Sequence, residues 1–171
     1  TQGISGESEL IRHPLDLVDK GIAAGVEALK NRSMLDTAHT CLIAVPPSSL
    51  KGTFTFAYEV ARQCGWSVLP LGASDDGQDI SGLCSTYEVD PIVITPDALE
   101  LVFTLDSAGQ FGSVRKILYI SGIPSQRALD TLESAFPHLE SHPFLYLSDV
   151  TGPIGLPIQG GDNNAFEILE N

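Results

Sequence analysis

Short apolar runs alternate with helix-like segments along most of the chain, and this alternation limits the possible folds more than any other feature. The runs are apolar along their whole length, so each is expected to form a strand with both faces buried. They cover residues 41–45, 67–71, 92–95, 116–120 and 144–147. Such strands, separated by helices, are typical of a parallel sheet with helices on both faces. We therefore expect a three-layer α/β domain with a mainly parallel sheet.

The segments between these runs have the spacing of amphipathic helices. Apolar residues recur at three- and four-residue steps, and Gly65 and Ser125 are suited to a helix end and a helix cap. Helices are predicted over residues 14–30, 52–64 and 80–87, and in segments that begin at 96 and 125.

Composition is consistent with this fold and limits the partners. The chain has 171 residues, 43% hydrophobic and 18% charged, which predicts a single globular domain over residues 1–171. The net charge is −13, and no Lys or Arg follows Arg127. Because nucleic-acid binding depends on basic side chains, we expect no nucleic acid and no anionic membrane as partner. The sequence does not predict an oligomeric state.

Localisation and metal binding are predicted from the cysteines and histidines. Three widely spaced cysteines, without a leader or a membrane-length apolar run, predict buried, reduced thiols in a cytoplasmic protein. His138 and His142 are four residues apart, but Pro137 and Pro143 flank them. We therefore predict a surface loop there, in preference to a helical metal site.

Segments that follow strands are the first candidates for a ligand site, since ligands of such folds lie beyond the carboxyl ends of the strands. Residues 46–52, 121–124 and 148–153 have this position. Gly122 would let a flat base approach the backbone, although an ordinary turn between strand and helix has the same composition. Residues 145–153 combine an aromatic ring, a hydroxyl and a carboxylate, and an edge strand running into an Asp-capped turn is the alternative.

The first six residues, Thr1–Gly6, are rich in glycine and hydroxyl groups. Backbone N–H groups of such a loop can surround a phosphate, because glycine permits tight turns. A frayed terminus or a cloning remnant would have the same composition.

Taken in order, these pieces resemble the adenylate-forming acyl- and aryl-CoA ligase superfamily, in particular its phenylacetate–CoA ligase-like branch. The family has a phosphate loop T-S-G-T-T-G, a strand ending in a Pro-containing loop, G-x-x-V-x-P, T-P, G-[AE]-P and Y-G-x-[ST]-E. The corresponding residues here are Thr1–Gly6, Val45–Pro47, Gly65–Pro70, Thr95–Pro96, Ser121–Pro124 and Leu145–Asp149. The collinear order carries the resemblance over nearly the whole chain.

The resemblance implies a fold like the ligase N-terminal core, and an activity that joins a small carboxylic acid to AMP from ATP and then to a thiol such as CoA. It assigns Ser148 and Asp149 to catalysis, with Asp149 holding Mg²⁺. The residues implied to bind nucleotide are Thr1, Gly3, Ser5, Gly6, Gly122, Ile123, Pro124 and Tyr146. The residues implied to border the acid are Ser48, Ser49 and Phe54.

Several positions depart from the family pattern. Gln2 and Ile4 replace hydroxyl residues, Glu7 or Ser8 stands where a Lys commonly follows, and Asp149 replaces a Glu. The family's small C-terminal domain, with its catalytic Lys, has no counterpart within these residues, so we expect this segment alone to be inactive. A catalytically degraded relative that binds nucleotide or protein, and an unrelated doubly wound domain, remain the alternatives.

Overall fold

The computed structural model describes most of the predicted core. It describes residues 14–31, 40–45, 52–71, 78–99, 111–122, 124–148, 152–157 and 166–168. Helices are α1 (Leu15–Asn31), α2 (Thr53–Gln63), α3 (Gln78–Tyr87) and α4 (Gln126–Ala135), and residues 96–99 are also helical. Strands are β1 (Thr40–Ala44), β2 (Ser67–Leu71), β3 (Val89–Ile94), β4 (Lys116–Ile120), β5 (Glu140–Ser148), β6 (Gly152–Pro157) and β7 (Phe166–Ile168).

The strands form one seven-stranded sheet in the order β2-β1-β3-β4-β5-β6-β7. Each neighbouring pair from β2 to β5 is parallel, whereas β6 and β7 are antiparallel to their neighbours. The predicted three-layer α/β fold with a mainly parallel sheet is thus confirmed.

Alternate residues of the central strands face two separate layers of the core. Cys41, Ile43 and Val93 pack with α1 and α2 on one face of the sheet. Leu42 and Ile92 pack on the other face with α3, α4 and the segment around Phe111. This arrangement follows from the apolar composition of both strand faces, which the sequence predicted.

The path of the chain creates a switch point between β1 and β3. The connection through α2 leads from β1 to β2 on one side, and the connection through α3 returns past β1 to β3 on the other. Because such crossovers are right-handed, reversing direction places α2 and α3 on opposite faces. In doubly wound sheets, ligands bind in the crevice that opens at this point.

Helix α2 ends as the sequence predicted. Gly65 has a φ of +81°, and its N–H donates to the carbonyl of Arg62. The N–H of Trp66 donates to the carbonyl of Ala61, which completes a Schellman motif with Trp66 packed in the core. At α4, the predicted cap is also present, since Ser125 Oγ accepts from the N–H of Ala128 at 3.2 Å.

Three features of the sheet differ from the sequence prediction. Strand β2 is an edge strand with Pro70 exposed, a position where a strand tolerates the missing N–H. Strand β5 begins at Glu140, so His142 lies within a strand and the predicted surface loop is wrong there. Strands β6 and β7 were not predicted, because β6 contains Gly and Pro, which have weak strand preference, and β7 has only three residues.

The amino edge of the sheet, where the parallel strands begin, is held by partly buried polar contacts. Asp90 is 8% exposed, and its Oδ1 accepts from the N–H groups of Arg115 and Lys116 at 3.1 and 3.0 Å. Ser113 Oγ donates to the carbonyl of Cys84 at 3.0 Å. These bonds connect the starts of β3 and β4 to each other and to α3.

All three cysteines are unpaired, in the protonated thiol form at neutral pH. Cys41 and Cys84 are buried, whereas Cys64 at the end of α2 is partly exposed. Burial raises the pKa of the Cys64 thiol to about 11 and that of Cys84 to about 12, and it raises the pKa of Cys41 further still. None of them therefore has the lowered pKa of a nucleophilic cysteine.

Among the described residues, no helix is both long and apolar enough to span a membrane.

Candidate functional site

The carboxyl edge of the sheet, where the parallel strands end, collects the segments that the sequence marked as candidates. Ala44 pairs with Leu71 on one side and with Ile94 on the other, and Ile94 pairs with Tyr119. Strands β1 to β4 therefore end at nearly the same level. The residues that follow β1, β3 and β4 emerge beside one another at the switch point.

A hydrogen bond between side chains connects two of these segments. Thr53 Oγ1 lies 3.1 Å from Ser121 Oγ, although the two residues are 68 positions apart in sequence. Thr53 is the first residue of α2, which follows β1, and Ser121 directly follows β4. The bond is exposed, and either hydroxyl can donate.

The turn after β4 has an unusual backbone. Ser121 has a φ of +69°, in the left-handed region that non-glycine residues seldom adopt. A Cβ placed on Gly122 would lie 3.2 Å from Cγ of Pro96, closer than ordinary van der Waals contact. Only glycine therefore fits here without displacing the proline ring. Two of the quoted motifs, Thr95–Pro96 and Ser121–Gly122, are thus in direct contact.

The segment after β3 turns directly into a helix. The carbonyl of Thr95 accepts from the N–H of Leu99 at 2.8 Å, and Thr95 Oγ1 lies 3.4 Å from the N–H of Ala98. Thr95 thereby caps the helical residues 96–99, with Pro96 in the first helical position that suits proline. The backbone beside Gly122 is therefore fixed by a capped helix start.

Two residues that the sequence predicts for the site, Pro124 and Phe54, also pack against the fold. Pro124 is buried just before Ser125, the cap of α4. Phe54 is partly buried against the core layer of α1 and α2, and its ring stacks on Tyr58 with centroids 6.5 Å apart and planes 17° from parallel. The contacts of Phe54 hold the first turn of α2, which carries Thr53.

Strand β5 brings the last candidate segment to the same edge. Ile120, the final residue of β4, pairs with Leu145, so β5 continues through Tyr146 to Ser148 beyond the end of β4. Ser148 pairs with Gly152 of antiparallel β6, and the connection between them contains Asp149. Strand β5 has β4 and β6 on its two sides, so the alternative of an edge strand is wrong.

The remaining candidates lie outside the described residues: Thr1, Gly3, Ser5, Gly6, Ser48, Ser49, Ile123 and Asp149. Within the part of the chain that the structure describes, no group of His, Cys, Asp or Glu side chains could hold a metal ion.

Thr53 lies at the carboxyl edge, and the motif analysis did not name it as a candidate. Its signal in the sequence is weak, because a Thr at the start of a helix is ordinary on its own. Only its position after a strand of the parallel sheet pointed to the carboxyl edge. Pro96 was quoted as part of a motif, but its contact with Gly122 depends on the fold.

Similarity to known proteins is found at the level of structure. No protein-family profile and no curated protein sequence matches the chain. The ATP-bound RpMatB–BxBclM chimera B1 superposes with a TM-score of 0.72 and 15% identity, covering 95% of this chain and 31% of its own. The amide bond synthetase McbA from Marinactinospora thermotolerans superposes with a TM-score of 0.58 and 13% identity, covering 78% and 27%.

The luciferase-like enzyme from the nonluminescent mealworm Zophobas morio is similar with a TM-score of 0.54 and 12% identity, covering 78% of this chain and 31% of that enzyme. This chain thus spans 27–31% of the length of the three solved chains. The solved neighbours are adenylate-forming ligases. The resemblance predicted from motif order is confirmed at the level of fold, and the chain has the α/β fold of the N-terminal core of adenylate-forming ligases.

Proposed function

We propose that the chain is part of an AMP-forming ligase that activates a small carboxylic acid with ATP and passes the acyl group to a thiol such as CoA. In the first step, a carboxylate oxygen attacks the α-phosphorus of ATP, and the bond from that phosphorus to pyrophosphate breaks. In the second step, the thiol displaces AMP from the acyl-adenylate and loses its proton. The protein would supply positioning and charge stabilisation.

The single observation that carries this proposal is the packing of Gly122 against Pro96 at the carboxyl edge. Gly122 has no side chain, so the turn presents bare backbone where the strands end, and the Pro96 ring fills the side where a Cβ would lie, 3.2 Å from it. A flat adenine can approach such a surface closely. Gly122, Ile123 and Pro124 would line the base, and Tyr146 would stack against it.

The other roles rest on the motif resemblance. Thr1, Gly3, Ser5 and Gly6 would surround the phosphates with N–H and hydroxyl donors. Ser148 would contact the phosphate, and the Asp149 carboxylate, an oxygen ligand of the kind Mg²⁺ prefers, would hold that ion. The acid would be bordered by Ser48, Ser49 and Phe54. We assign this chemistry to the phenylacetate–CoA ligase-like branch and, on the strength of three unpaired cysteines, to the cytoplasm.

ATP–pyrophosphate exchange by the natural full-length protein tests the activity directly. We expect exchange that depends on one member of a panel of aryl and short-chain acids. A folded protein that shows no exchange with any acid would contradict the ligase function. Titration calorimetry with AMP then separates loss of binding from loss of chemistry.

A second function, nucleotide binding by a catalytically degraded relative, is favoured by the residues around the phosphate loop. Glu7 directly follows in sequence the segment that resembles the phosphate loop, and Gln2 and Ile4 replace hydroxyl donors of the family pattern. Like charges repel strongly where water is excluded. This function predicts AMP binding with weak or no ATP binding, and no pyrophosphate exchange.

A further inference from the structure

The turn after β4 contains one strained residue between two fixed neighbours. Ile120 is fully buried and pairs with Leu145 of β5, and the Pro96 ring occupies the side of Gly122 where a Cβ would lie. Ser121, between them, has a φ of +69°, a conformation that costs free energy in a residue with a Cβ. Such a conformation persists only where surrounding contacts hold it. The contacts of the Ser121 side chain therefore decide how firmly this turn is held.

The hydrogen bond of the Ser121 side chain links the turn to a helix start that is anchored in the core. Ser121 Oγ lies 3.1 Å from Oγ1 of Thr53, the first residue of α2. The first turn of this helix is closed by the N–H of Phe56, which donates to the Gly52 carbonyl at 2.8 Å. Phe56 is buried in the core layer of α1 and α2. The helix start is therefore the fixed partner, and the strained turn is the partner that depends on the bond.

We propose that Thr53 is a positioning residue for the nucleotide, because its hydroxyl holds Ser121 and thereby keeps the Gly122 backbone in place to receive the base. This role rests on the proposed function, in which a flat adenine packs on the turn. Thr53 does not touch the nucleotide in this role, and its effect passes through Ser121 alone. Removing either hydroxyl should therefore have the same effect, and that effect should concern the base and not the phosphate.

The test removes the two hydroxyls separately and together. Thr53→Val removes one hydroxyl at nearly constant shape, Thr53→Ser keeps it, and Ser121→Ala removes the other. Thr131→Val on α4 is the matched control, because its hydroxyl donates to the Arg127 carbonyl of the same helix. In the natural full-length protein, titration calorimetry measures the dissociation constants of AMP and of adenosine for each variant and for Thr53→Val combined with Ser121→Ala. Amide chemical shifts and hydrogen exchange of residues 121 and 122 are measured in parallel.

Loss of the bond between Thr53 and Ser121 should weaken binding of the base. Thr53→Val should weaken AMP and adenosine by the same factor, about 2- to 10-fold, the range for one hydrogen bond. Ser121→Ala should match it, and the double variant should lose no more than either single variant, because both changes remove the same bond. Thr53→Ser should keep the wild-type affinity, and Thr131→Val should not change it. In Thr53→Val, the amide shifts of residues 121 and 122 should move and their hydrogens should exchange faster.

Each contrary result has its own meaning. A wild type that binds neither AMP nor adenosine overturns the proposed function, and the amide measurements then decide whether Thr53 holds the turn. Weaker binding of AMP with unchanged binding of adenosine overturns the positioning role, because Thr53 would then contact the phosphate directly. Unchanged affinity in Thr53→Val, or additive losses in the double variant, overturns it as well. Unchanged amide shifts and exchange at residues 121 and 122 in Thr53→Val overturn it whatever the protein binds.

Discussion

The two ends of the parallel sheet are built in opposite ways. At the amino edge, one buried carboxylate, Asp90, accepts two backbone N–H groups, and the rings of Phe111 and Phe136 pack edge to face with centroids 5.9 Å apart. At the carboxyl edge, the Thr53–Ser121 bond is exposed, and a Cβ on Gly122 would meet the ring of Pro96. Among the described residues, the Asp90 bonds at the amino edge are partly buried, whereas the Thr53–Ser121 bond at the carboxyl edge is exposed.

The difference separates stability from recognition. Buried hydrogen bonds to a charged group contribute more to folding than exposed bonds between neutral hydroxyls. Exposed donors and bare backbone contribute little to folding but remain available to a ligand. We therefore expect substitutions at the amino edge to change the free energy of unfolding, and substitutions at the carboxyl edge to change binding.

The largest effect is expected from Asp90→Ala. Removing the carboxylate leaves the N–H groups of Arg115 and Lys116 without their acceptor, which should lower the free energy of unfolding by about 2–4 kcal/mol. Urea unfolding measures this value. Asp90→Asn keeps one acceptor oxygen, so its free energy of unfolding should lie between those of the wild type and Asp90→Ala. Asp19→Ala, at an exposed position of α1, is the control and should stay within about 0.5 kcal/mol. Equal stability of Asp90→Ala and Asp19→Ala would remove the contrast between the edges.

Gly122→Ala should have the next largest effect, on binding more than on stability. The added Cβ meets the Pro96 ring and would displace the turn that faces the base in the proposed function, so AMP affinity should fall about 10-fold, or about 1.4 kcal/mol. The free energy of unfolding should fall by less than about 1 kcal/mol, because the overlap is slight. Gly82→Ala in α3 is the matched control, since its Cβ meets nothing within 4 Å. Calorimetry with AMP and urea unfolding measure both quantities; a larger loss of stability than of affinity would argue against a binding role.

Alkaline pH should lower the free energy of unfolding, because the thiols lose their protons more readily in the unfolded chain. Cys64 and Cys84 keep their protons in the folded state up to a pKa of about 11 and about 12, against an ordinary value of 9.0. Above pH 9 the unfolded chain therefore binds fewer protons than the folded one, and the free energy of unfolding falls as pH rises. We expect a loss of about 1 kcal/mol from each of these two thiols between pH 8 and pH 10, below the ceiling of about 1.4 kcal/mol per pH unit for each thiol.

Urea unfolding across this pH range measures the slope. Cys64→Ser should reduce it, because a serine hydroxyl does not titrate there. A slope that is unchanged in Cys64→Ser would assign the alkaline loss to other groups.

The smallest effect is expected at two residues with a left-handed backbone conformation, one at each edge of the sheet. Glu88 has a φ of +50° at the amino edge, and Ser121 has a φ of +69° at the carboxyl edge. Glycine relieves the strain in both, so Glu88→Gly should gain about 0.5 kcal/mol of stability. Ser121→Gly also loses the bond to Thr53, which offsets the gain to near zero. Urea unfolding of both variants gives the difference, and an equal gain in both would show that the hydroxyl bond contributes nothing to folding.

Local sequence was sufficient to predict the strands and helix ends that depend on interactions between neighbouring residues. The predicted strands Ser67–Leu71 and Lys116–Ile120 agree with the observed bounds, and the stop at Gly65 depends on its own backbone. The predicted strand 144–147 lies within β5, but its first residues, 140–143, were missed, because His142 and Pro143 disfavour a strand that pairing with β4 holds. Strands β6 and β7 were missed although their partners are near in sequence, because β6 contains Gly and Pro and β7 has only three residues.

The candidate site likewise has features that local sequence predicts and features that depend on the fold. Gly122 and Pro124 were identified from a motif, because a glycine at the end of an apolar strand is visible in the sequence. The contact of Gly122 with Pro96 and the bond of Thr53 to Ser121 could not be predicted, because they depend on which strands lie side by side.

By itself, the sequence determined the layered α/β class and the order of its motifs, since apolar runs and helical spacing are properties of neighbouring residues. Only the tertiary structure decided the strand order, the switch point between β1 and β3, and the meeting of Thr53 with Ser121. These depend on long-range pairing, where the handedness of each crossover and the burial of both sheet faces act together.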